Sequence, residues 1–589
     1  MKKILDILAE EFKKAFVECG YEEKFGIVSI SNRPDLCEYQ CNGAMAAAKQ
    51  YKKAPIMIAN DVVGKLENSE IIENVQAVNP GFINFNLKAE YAAEYINKMS
   101  GDETFGLEKT TDKTVVIDFG GANVAKPLHV GHLRSAVIGE SIKRILKYSG
   151  CNVIGDVHLG DWGLQMGLII TELECRKPEL VYFDSSFEGE YPEEAPFTIS
   201  ELEEIYPCAS GKSKEDPEYK KKALEATLKL QQGYPAYRAL WKHIINVSVE
   251  DLKKNYGNLD VSFDLWKGES DADEYIPEMI DMLNAKNLLH ESQGAMVVDV
   301  VEETDTKEIP PCIVQKSDGA ALYATSDLAT LVQRKKDYNP DMVIYVVDKR
   351  QEMHFTQVFR VAKKADIVGE NTQLSFIGFG TMNGKDGKPF KTREGGVMRL
   401  EHLLKDINDA VYDKMMENRS ISEDEARETA KIIGLSAIKY GDLSNQASKD
   451  YVFDVERFAS FEGNTGPYIL YTIVRIKSIL AKYAEAGKNA DDYVKGILSA
   501  KSASEKALML ELSKFNDVME NAVKELAPHK ICSYIYDISN AFNKFYHDTK
   551  IMGEEDNERQ ASYIKLLEFT KNILETEINL LGFEAPDRM

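Results

Sequence analysis

The stretch TVVIDFGGANVAKPLHVGH, residues 114–132, decides the fold class. Its first five residues form a short, mostly β-branched run, typical of a buried parallel strand. Residues 120–123 are turn formers, and residues 132–149 carry isoleucines at helical spacing before Gly150. Residues 151–155 then supply a second strand. The sequence therefore predicts an α/β protein with a Rossmann-like, doubly wound sheet.

Patterns on both sides of this stretch predict further domains. Residues 342–348 and 374–379 read as later strands of the same sheet, with a long, largely helical and acidic insertion at about 170–315. Residues 1–108 predict a small α+β domain. We expect the catalytic domain at 109–396, a connecting helical segment at 397–450, and an all-α helical bundle at 451–589.

Composition limits the classes of function. The formal net charge is −24, so a polyanion can bind only where basic residues are concentrated on one face. No apolar stretch is long enough for a membrane span, and residues 1–11 read as an amphipathic helix rather than a signal peptide, which favours the cytoplasm. The eight cysteines are scattered and predict free thiols, with no metal site.

The turn after the first strand carries candidate nucleotide chemistry. His129 and His132 flank Gly131 where a doubly wound sheet binds its ligands. Amides at a helix start favour phosphate, and two imidazoles can donate to its oxygens as charge develops. A pair of surface histidines beside a helix start is the alternative interpretation.

A glycine-rich basic segment lies far along the chain. Residues 382–396 contain four glycines and four basic residues, a composition suited to a mobile cationic loop over a triphosphate. A solvated hairpin tip is the alternative. Together with the histidine turn, the segment points to an adenylating site.

These two elements resemble a known family. An early His-x-Gly-His turn paired with a distant lysine loop is similar to the class I aminoacyl-tRNA synthetases, with KPFKT at 388–392 in the place of their Lys-Met-Ser-Lys-Ser loop. The resemblance is to the arginyl-tRNA synthetases in particular and covers nearly the whole chain in order. The stretches that carry it are residues 123–129, 160–165, 318–329, 347–355 and 461–468.

An arginine substrate also fits the residue types. A guanidinium is planar and charged, and it pairs with carboxylates and a flat aromatic ring. Asp118 ends the first strand, while Tyr323 and Asp327 are four residues apart and share a face if helical. A helix-capping acid and a packed ring are the alternatives for the latter two. The resemblance assigns all three to arginine, and it implies that Asn123 and Gln351 lie near the amino and carboxylate groups.

The resemblance implies the remaining roles. The expected reaction joins arginine to ATP as arginyl-adenylate, releases pyrophosphate, and transfers arginine to tRNA(Arg). Mg²⁺ is expected only through ATP oxygens, and a monomer is expected. Because the loop lacks the Met-Ser centre of the class pattern, Lys126 is expected to share the work of Lys391. The expected catalytic residues are His129, His132, Lys126 and Lys391, and ATP contacts are expected from Gly131, Asp348, His354, Met382 and Lys388 as well.

Two other classes of function remain open at this stage. One is a nucleotidyltransferase that acts on a small molecule. Such an enzyme has no need of the two flanking domains that the resemblance assigns to tRNA, the N-terminal one to its outer corner and the C-terminal bundle to its anticodon. The other is a catalytically dead tRNA-binding protein, against which His129, His132 and Lys391 weigh. An editing role for the insertion is disfavoured, because charged side chains are discriminated well without editing. Rings within residues 534–547 suit base stacking but fit a bundle core better.

Overall fold

The computed structural model describes residues 1–316, 322–388, 398–417 and 422–589. It divides into two compact units. The end unit contains Met1–Lys109, Tyr468–Ile578 and Ala585–Met589, and the middle unit contains Thr110–Pro467 and Asn579–Glu584. Within these described ranges, no helix has the length and apolar character needed to cross a bilayer.

The first part of the end unit is a small α+β domain, as predicted. Its four strands form an antiparallel sheet in the order β1-β2-β4-β3. The apolar face of α1 buries Phe12 against Phe85 of the sheet, with ring centroids 4.7 Å apart. The elements are α1 (Ile4–Glu18), β1 (Val28–Ile30), β2 (Tyr39–Cys41), α2 (Gly43–Tyr51), α3 (Pro55–Leu66), β3 (Ile72–Val78), β4 (Phe82–Leu87) and α4 (Ala89–Ser100).

The middle unit contains nine strands and twelve α-helices among its described residues. Its strands are β5 (Thr114–Asp118), β6 (Asn152–Asp156), β7 (Leu289–Ser292), β8 (Ala295–Val298), β9 (Cys312–Gln315), β10 (Met342–Asp348), β11 (Gln373–Phe379), β12 (Met382–Asn383) and β13 (Tyr451–Val452). Its helices are α5 (Val130–Tyr148), α6 (Leu164–Arg176), α7 (Ile199–Glu215), α8 (Pro217–Gln231), α9 (Pro235–Gly257), α10 (Glu269–Ala272), α11 (Ile276–Ala285), α12 (Tyr323–Tyr338), α13 (Glu352–Lys364), α14 (Leu400–Met416), α15 (Glu423–Leu443) and α16 (Val455–Phe458).

The principal sheet is parallel and doubly wound, as predicted. Its strand order is β11-β10-β5-β6. The chain adds β6 on one side of β5 and later adds β10 and β11 on the other side. The strand order therefore reverses between β5 and β10, and ligands of such sheets bind outside the carboxyl ends of the strands at this point.

The core beside this sheet is formed by helices that lie between its strands in sequence. Val116 of β5 and Val343 of β10 are buried with Leu328 of α12 and Val358 of α13. β-branched residues suit strands that are covered by helices. The same helices carry Tyr323, Asp327 and His354, so the core fixes the bases of these side chains.

The insertion is largely helical, as expected, but it ends in strands that the sequence patterns did not indicate. Helices α6 to α11 are followed by an antiparallel sheet in the order β7-β8-β9. Gln293 and Gly294 join β7 to β8 with φ of 51° and 81°, the left-handed conformation of a tight hairpin turn. Each of these strands has four residues, too few for a clear alternation of polar and apolar side chains.

The remainder of the end unit is all-helical, as predicted for the C-terminal bundle. It contains α17 (Gly466–Glu485), α18 (Ala503–Leu512), α19 (Phe515–Glu525), α20 (Pro528–Asp548) and α21 (Asn557–Leu580). Lys506 Nζ lies 2.8 Å from Glu38 Oε1 and 2.9 Å from Glu73 Oε1 of the N-terminal sheet. The two terminal parts of the chain therefore pack as one unit. The domain boundaries expected at 108, 396 and 450 stay predictions.

Candidate active site

The histidine turn is locked by its own main chain. α5 begins at Val130, and His129 is its N-cap. The Nδ1 atom of His129 accepts from the amide of Gly131 at 3.0 Å, and Nδ1 of His132 accepts from the amide of His129 at 3.1 Å. Because Nδ1 is the acceptor in both rings, the proton of each neutral imidazole lies on Nε2. The turn therefore holds two N–H donors beside each other, with ring centroids 3.9 Å apart.

Burial keeps both rings uncharged at neutral pH. It lowers the pKa of His132 to about 3, with the neighbouring His129 and Lys126 adding to the effect. The pKa of His129 is lowered by burial and then by Lys126. Positive charge at this turn is therefore carried by Lys126, while the histidines donate hydrogen bonds.

Gly131 is required by the histidine that precedes it. A Cβ atom at this position would lie 2.7 Å from Cε1 and 2.8 Å from Nδ1 of His129. Any side chain at position 131 would therefore displace the His129 ring or break its cap. This packing explains the glycine without reference to the ligand.

A cleft of about 700 Å³ is lined by Lys126, three residues before His129, while neither histidine is among its described lining residues. It brings together three residues that the sequence selected, namely Asn123, Lys126 and Tyr323. The Tyr323 side chain begins α12 and is 76% exposed. Helices α7 and α8 of the insertion also line the cleft, with Tyr206, Ser210, Ser213, Lys214, Pro217 and Lys220.

Glu269 also lines the cleft, and the sequence analysis missed it. Glu269 N donates to the carbonyl of Leu159 at 3.0 Å, next to the bridge between Leu159 and Gly268, which fixes the acid beyond the end of β6. Burial raises the pKa of its carboxyl group to about 7, and nearby Asp161 and Asp327 act in the same direction. Glu269 lies in the insertion without any local motif, so no spacing rule could have identified it.

The carboxylate of Asp118 already has a guanidinium partner. Asp118 and Asp156 are register partners at the ends of β5 and β6. Arg334 Nη2 donates to Asp118 Oδ2 at 2.6 Å and to Asp156 Oδ2 at 2.8 Å, and Arg334 is 2% exposed. His158 lies near enough to complete a set of metal-type ligands, but Arg334 supplies the positive charge here. The predicted contact of Asp118 with arginine stays a prediction.

Among the other residues predicted to bind arginine, some also have internal partners and others are exposed. Tyr323 and Asp327 both lie on α12, so the expected helix is present. Asp327 Oδ2 lies 2.5 Å from Nε2 of His354, which was expected on the ATP side. Gln351 is exposed at the N-cap of α13. In the described structure, the open face of Tyr323 is thus presented to the cleft, while Asp327 is bound by an internal partner.

The remaining predicted ATP residues have varied surroundings. Asp348 ends β10 and accepts from the amide of Arg350 at 2.8 Å. Met382 is buried in β12, which pairs with β13. Lys388 is exposed at the end of a turn in which Gly384 N donates to its carbonyl at 2.8 Å. Lys391 lies outside the described residues.

The described chain beyond residue 397 returns to the histidine turn. Val130 N donates to the carbonyl of Met398 at 3.0 Å, and Leu400 N donates to the carbonyl of Leu128 at 3.0 Å. Arg399 and His129 are thus paired through their main chains as an antiparallel β-bridge. This pairing joins the chain that follows the basic segment to the backbone that carries the histidines.

A separate polar and aromatic surface lies in the end unit, on α17 and α20. The Arg475 guanidinium lies 4.7 Å from the ring centroid of Tyr471 and 5.3 Å from that of Tyr546. Arg475 Nη1 also donates to Asn543 Oδ1 at 2.7 Å. Tyr471 and Tyr546 are 42% and 41% exposed, so both are partly open to solvent. We call these four residues the stacking surface.

Most other rings of α20 belong to the bundle core. Tyr534, Phe542 and Phe545 are buried, and Tyr534 OH donates to the carbonyls of Glu511 and Leu512 at 2.8 and 3.0 Å. The aromatic run therefore divides into buried rings that pack the bundle and a few exposed ones. Burial, which the sequence alone did not supply, separates the two sets.

Known proteins match the chain along its whole length. Residues 96–455 match the family model for the class I tRNA synthetase (R) catalytic domain, residues 469–589 the DALR anticodon binding domain, and residues 2–87 the arginyl tRNA synthetase N-terminal domain. Arginine–tRNA ligases of Agathobacter rectalis and Alkaliphilus oremlandii are 63% and 58% identical, each with 100% of both chains covered.

A solved structure agrees with these matches. The arginyl-tRNA synthetase of Plasmodium falciparum aligns with a TM-score of 0.81 at 26% identity, covering 100% of both chains. The catalytic model alone spans more than half of this chain. The fold, the histidine turn and the relatives thus agree, and the chain belongs to the class I arginyl-tRNA synthetase family.

Proposed function

We propose that this chain attaches L-arginine to tRNA(Arg) at the expense of ATP, through an arginyl-adenylate. The arginine carboxylate attacks the α-phosphorus, forming a new P–O bond as the bond to the bridging oxygen breaks and pyrophosphate leaves. A ribose hydroxyl of the terminal adenosine of tRNA then takes the arginyl group and releases AMP. The observation that carries the proposal is a single cleft that combines Lys126 with Glu269 and Tyr323.

The phosphate end of this cleft is assigned to the histidine turn. His129 and His132 donate from Nε2 to the phosphate oxygens, and Lys126 supplies the positive charge, which Lys391 and Lys388 supplement. Donors fixed before the reaction stabilise the developing charge without reorganisation. We expect Mg²⁺ to arrive with ATP through its phosphate oxygens, because the reacting triphosphate offers the oxygen ligands that it prefers.

The guanidinium end is assigned to Tyr323 and Glu269. The exposed Tyr323 ring offers a flat face, and the Glu269 carboxylate offers paired acceptors. The Asp327 carboxylate joins them if its hydrogen bond with His354 breaks. The Asp118 carboxylate joins them if its ion pair with Arg334 breaks. We assign Asn123 and Gln351 to the amino and carboxylate groups of arginine.

The adenosine side of ATP is assigned to a separate set of residues. Gly131 is assigned to the nucleotide, because a residue without a side chain lets a flat base or ribose approach the main chain of the turn. Asp348, His354 and Met382 are assigned to the ribose and the base. These assignments rest on the family resemblance and on their places at or after β10 and β11.

The end unit is assigned to tRNA. The stacking surface combines exposed rings with an arginine, which suits unpaired bases and the phosphates beside them. The N-terminal domain is assigned to the outer corner of the tRNA. We expect a cytoplasmic monomer, since a single chain carries both the cleft and the tRNA-binding domains.

Pyrophosphate exchange tests the proposal. Labelled pyrophosphate should enter ATP only with arginine among the twenty amino acids, measured with and without tRNA(Arg). Exchange with a small molecule other than an amino acid would support a nucleotidyltransferase instead. Tight binding of tRNA without any exchange or charging would support a catalytically dead tRNA-binding protein.

A further inference from the structure

One face of α7 contacts the chain on both sides of the histidine turn. Glu203 and Tyr206 are three residues apart on this helix, so their side chains are neighbours. The Lys126 ammonium lies 4.6 Å from the centroid of the Tyr206 ring. Arg399 Nη1 donates to Glu203 Oε2 at 2.9 Å. A helix of the insertion therefore reaches the lysine that precedes His129 and the segment that pairs with it.

The Tyr206 ring is held by the core of the insertion. It packs against the buried cluster of Leu168, Ala209, Tyr219 and Ala223. The negative face of an aromatic ring attracts an ammonium group, and the attraction depends on the face rather than on the phenol hydroxyl. The ring thus limits where the Lys126 ammonium can lie, and the helix core limits where the ring can lie.

Glu203 contacts the segment that pairs with the histidine turn, through its ion pair with Arg399. Its side chain is 13% exposed, against 47% for that of Arg399. Burial raises the pKa of Glu203, and the positive charge of Arg399 opposes that shift. Because Met398 and Leu400 form main-chain hydrogen bonds with the chain around His129, the Glu203–Arg399 pair connects α7 to the same backbone.

Both ends of this arrangement are anchored to the insertion independently of the turn. At the start of α7, Lys177 Nζ donates to Glu201 Oε1 at 2.8 Å and to the carbonyl of Pro196 at 2.7 Å. Towards its end, Lys212 Nζ lies 2.8 Å from Glu172 Oε2, to which Tyr219 OH donates at 2.7 Å. The helix is thus tied to α6 and α8, and it can act as a fixed support for the residues that it contacts.

We propose that Tyr206 and Glu203 are positioning residues for adenylate formation, which hold Lys126 and the Arg399 segment around His129. The proposal rests on the proposed function, in which Lys126 meets the phosphates of ATP. It gives the insertion a specific part in the chemistry. Tyr206 acts through Lys126, and Glu203 acts through Arg399.

The first experiment compares Tyr206→Leu with Tyr206→Phe in pyrophosphate exchange. Loss of the ring face should raise the KM for ATP about fivefold, the equivalent of a moderately desolvated cation–π contact. The KM for arginine should stay within about twofold of wild type, and Tyr206→Phe should restore the KM for ATP because it keeps the face. Equal loss in both variants, or a change confined to arginine, would overturn the assignment.

A double-mutant cycle separates this inference from the proposed function. Tyr206→Leu should add no further loss to Lys126→Ala, because the ring then has no ammonium to position. Additive losses would show that Tyr206 acts elsewhere. If Lys126→Ala itself leaves exchange unchanged, the proposed role of Lys126 fails. If it lowers exchange while Tyr206→Leu does not, only the present inference fails.

The Glu203–Arg399 pair is tested by reversing its charges. Glu203→Arg and Arg399→Glu should each lower exchange about fivefold, and the combined reversal should recover most of the loss if the pair acts as a unit. Glu204→Gln on the same helix is the matched control, since Glu204 is exposed. Thermal unfolding of each variant excludes misfolding. Failure of the double reversal to recover activity would remove Glu203 from the proposal.

Discussion

The two histidines that begin α5 and the two aspartates that end β5 and β6 lie in the same unit, yet their surroundings differ in kind. Each histidine uses one ring nitrogen for the main chain and keeps the other as a donor. The two aspartates share one buried guanidinium, that of Arg334. The histidines are therefore neutral and each keeps one ring donor, whereas the aspartates already share an internal partner.

The difference teaches how to interpret a motif residue. Residue type and local position select Asp118, His129 and His132 as candidates for ligand contact, and Asp156 ends the neighbouring strand. Whether a candidate is available depends on a partner that lies far away in sequence, as Arg334 does from Asp118. Glu269 shows the converse, because it borders the cleft without belonging to any motif.

The largest effect should come from removing the shared guanidinium. Arg334→Met leaves two buried carboxylates without their partner and should lower the free energy of unfolding by about 3–5 kcal/mol. Burial already raises the pKa of Asp118, and loss of the opposing Arg334 charge should raise it further. Stability of the variant should therefore be greatest in acid and fall further as pH rises from 5 to 8, measured by urea unfolding.

The control for this variant is Arg334→Met combined with Asp156→Asn. Removing one of the two charges should recover part of the lost stability, most clearly at pH 8. A loss that is independent of pH, and that the second substitution leaves unchanged, would mean that cavity formation rather than charge explains the effect.

The second prediction separates the two nitrogens of His132. An asparagine can accept the His129 amide as Nδ1 does, whereas a glutamine amide can reach the place of Nε2. If the free donor matters more than the cap, His132→Asn should lower the exchange rate about 100-fold. His132→Gln should retain more activity, within about tenfold of wild type. The opposite ranking would mean that the turn's shape, and not its donor, limits the reaction.

A third prediction contrasts Glu269 with the histidines in their pH dependence. The pKa of Glu269 is raised to about 7, and cationic arginine should bind its ionised form. The KM for arginine should therefore fall about tenfold between pH 6 and pH 8. Glu269→Gln should raise that KM and abolish its dependence on pH. His132 stays neutral over this range, because burial lowers its pKa to about 3, and burial lowers the pKa of His129 as well.

Steady-state exchange at varied arginine concentration measures this dependence. At saturating ATP the exchange rate depends on the arginine concentration alone, which gives the KM for arginine. The KM for ATP serves as the internal control. A profile that is identical in wild type and in Glu269→Gln would assign the titration to another group. Glu269 would then be a buried acid of the insertion without a substrate role.

The smallest effect is expected from Asp118→Asn. Arg334 keeps Asp156 as its partner, so the loss of stability should be about 1–3 kcal/mol. The KM for arginine should change by less than about threefold, because the carboxylate already has an internal guanidinium. A much larger rise in that KM would show that Asp118 exchanges Arg334 for the substrate. The contact that the sequence predicted would then be correct.

The sequence predicted the elements that local pattern determines. Strand β5, helix α5 and strand β6 are found where apolar spacing and Gly150 indicated them. Strands β7 to β9 were missed because four residues carry too little alternation to distinguish a strand from a loop. The sharing of one unit by the two terminal parts also escaped prediction, since it depends on long-range contacts such as those of Lys506.

The candidate site was predictable to a similar degree. The cleft collects Asn123, Lys126 and Tyr323, which motifs had selected. Hydrogen bonds between distant segments set the rest, including the pair of Asp327 with His354. The roles of all these residues stay predictions until the variants are measured.

The composition of the end unit has a consequence for the order of biosynthesis. A ribosome releases residues 1–109 early and the helices that complete their unit late, after the whole middle unit has been made. Glu38 and Glu73 leave the exit tunnel long before Lys506, with which both form ion pairs. The N-terminal domain is thus synthesised first but completed late. A nascent chain stalled before residue 468 exposes the surface of this domain against which the C-terminal helices pack in the finished protein.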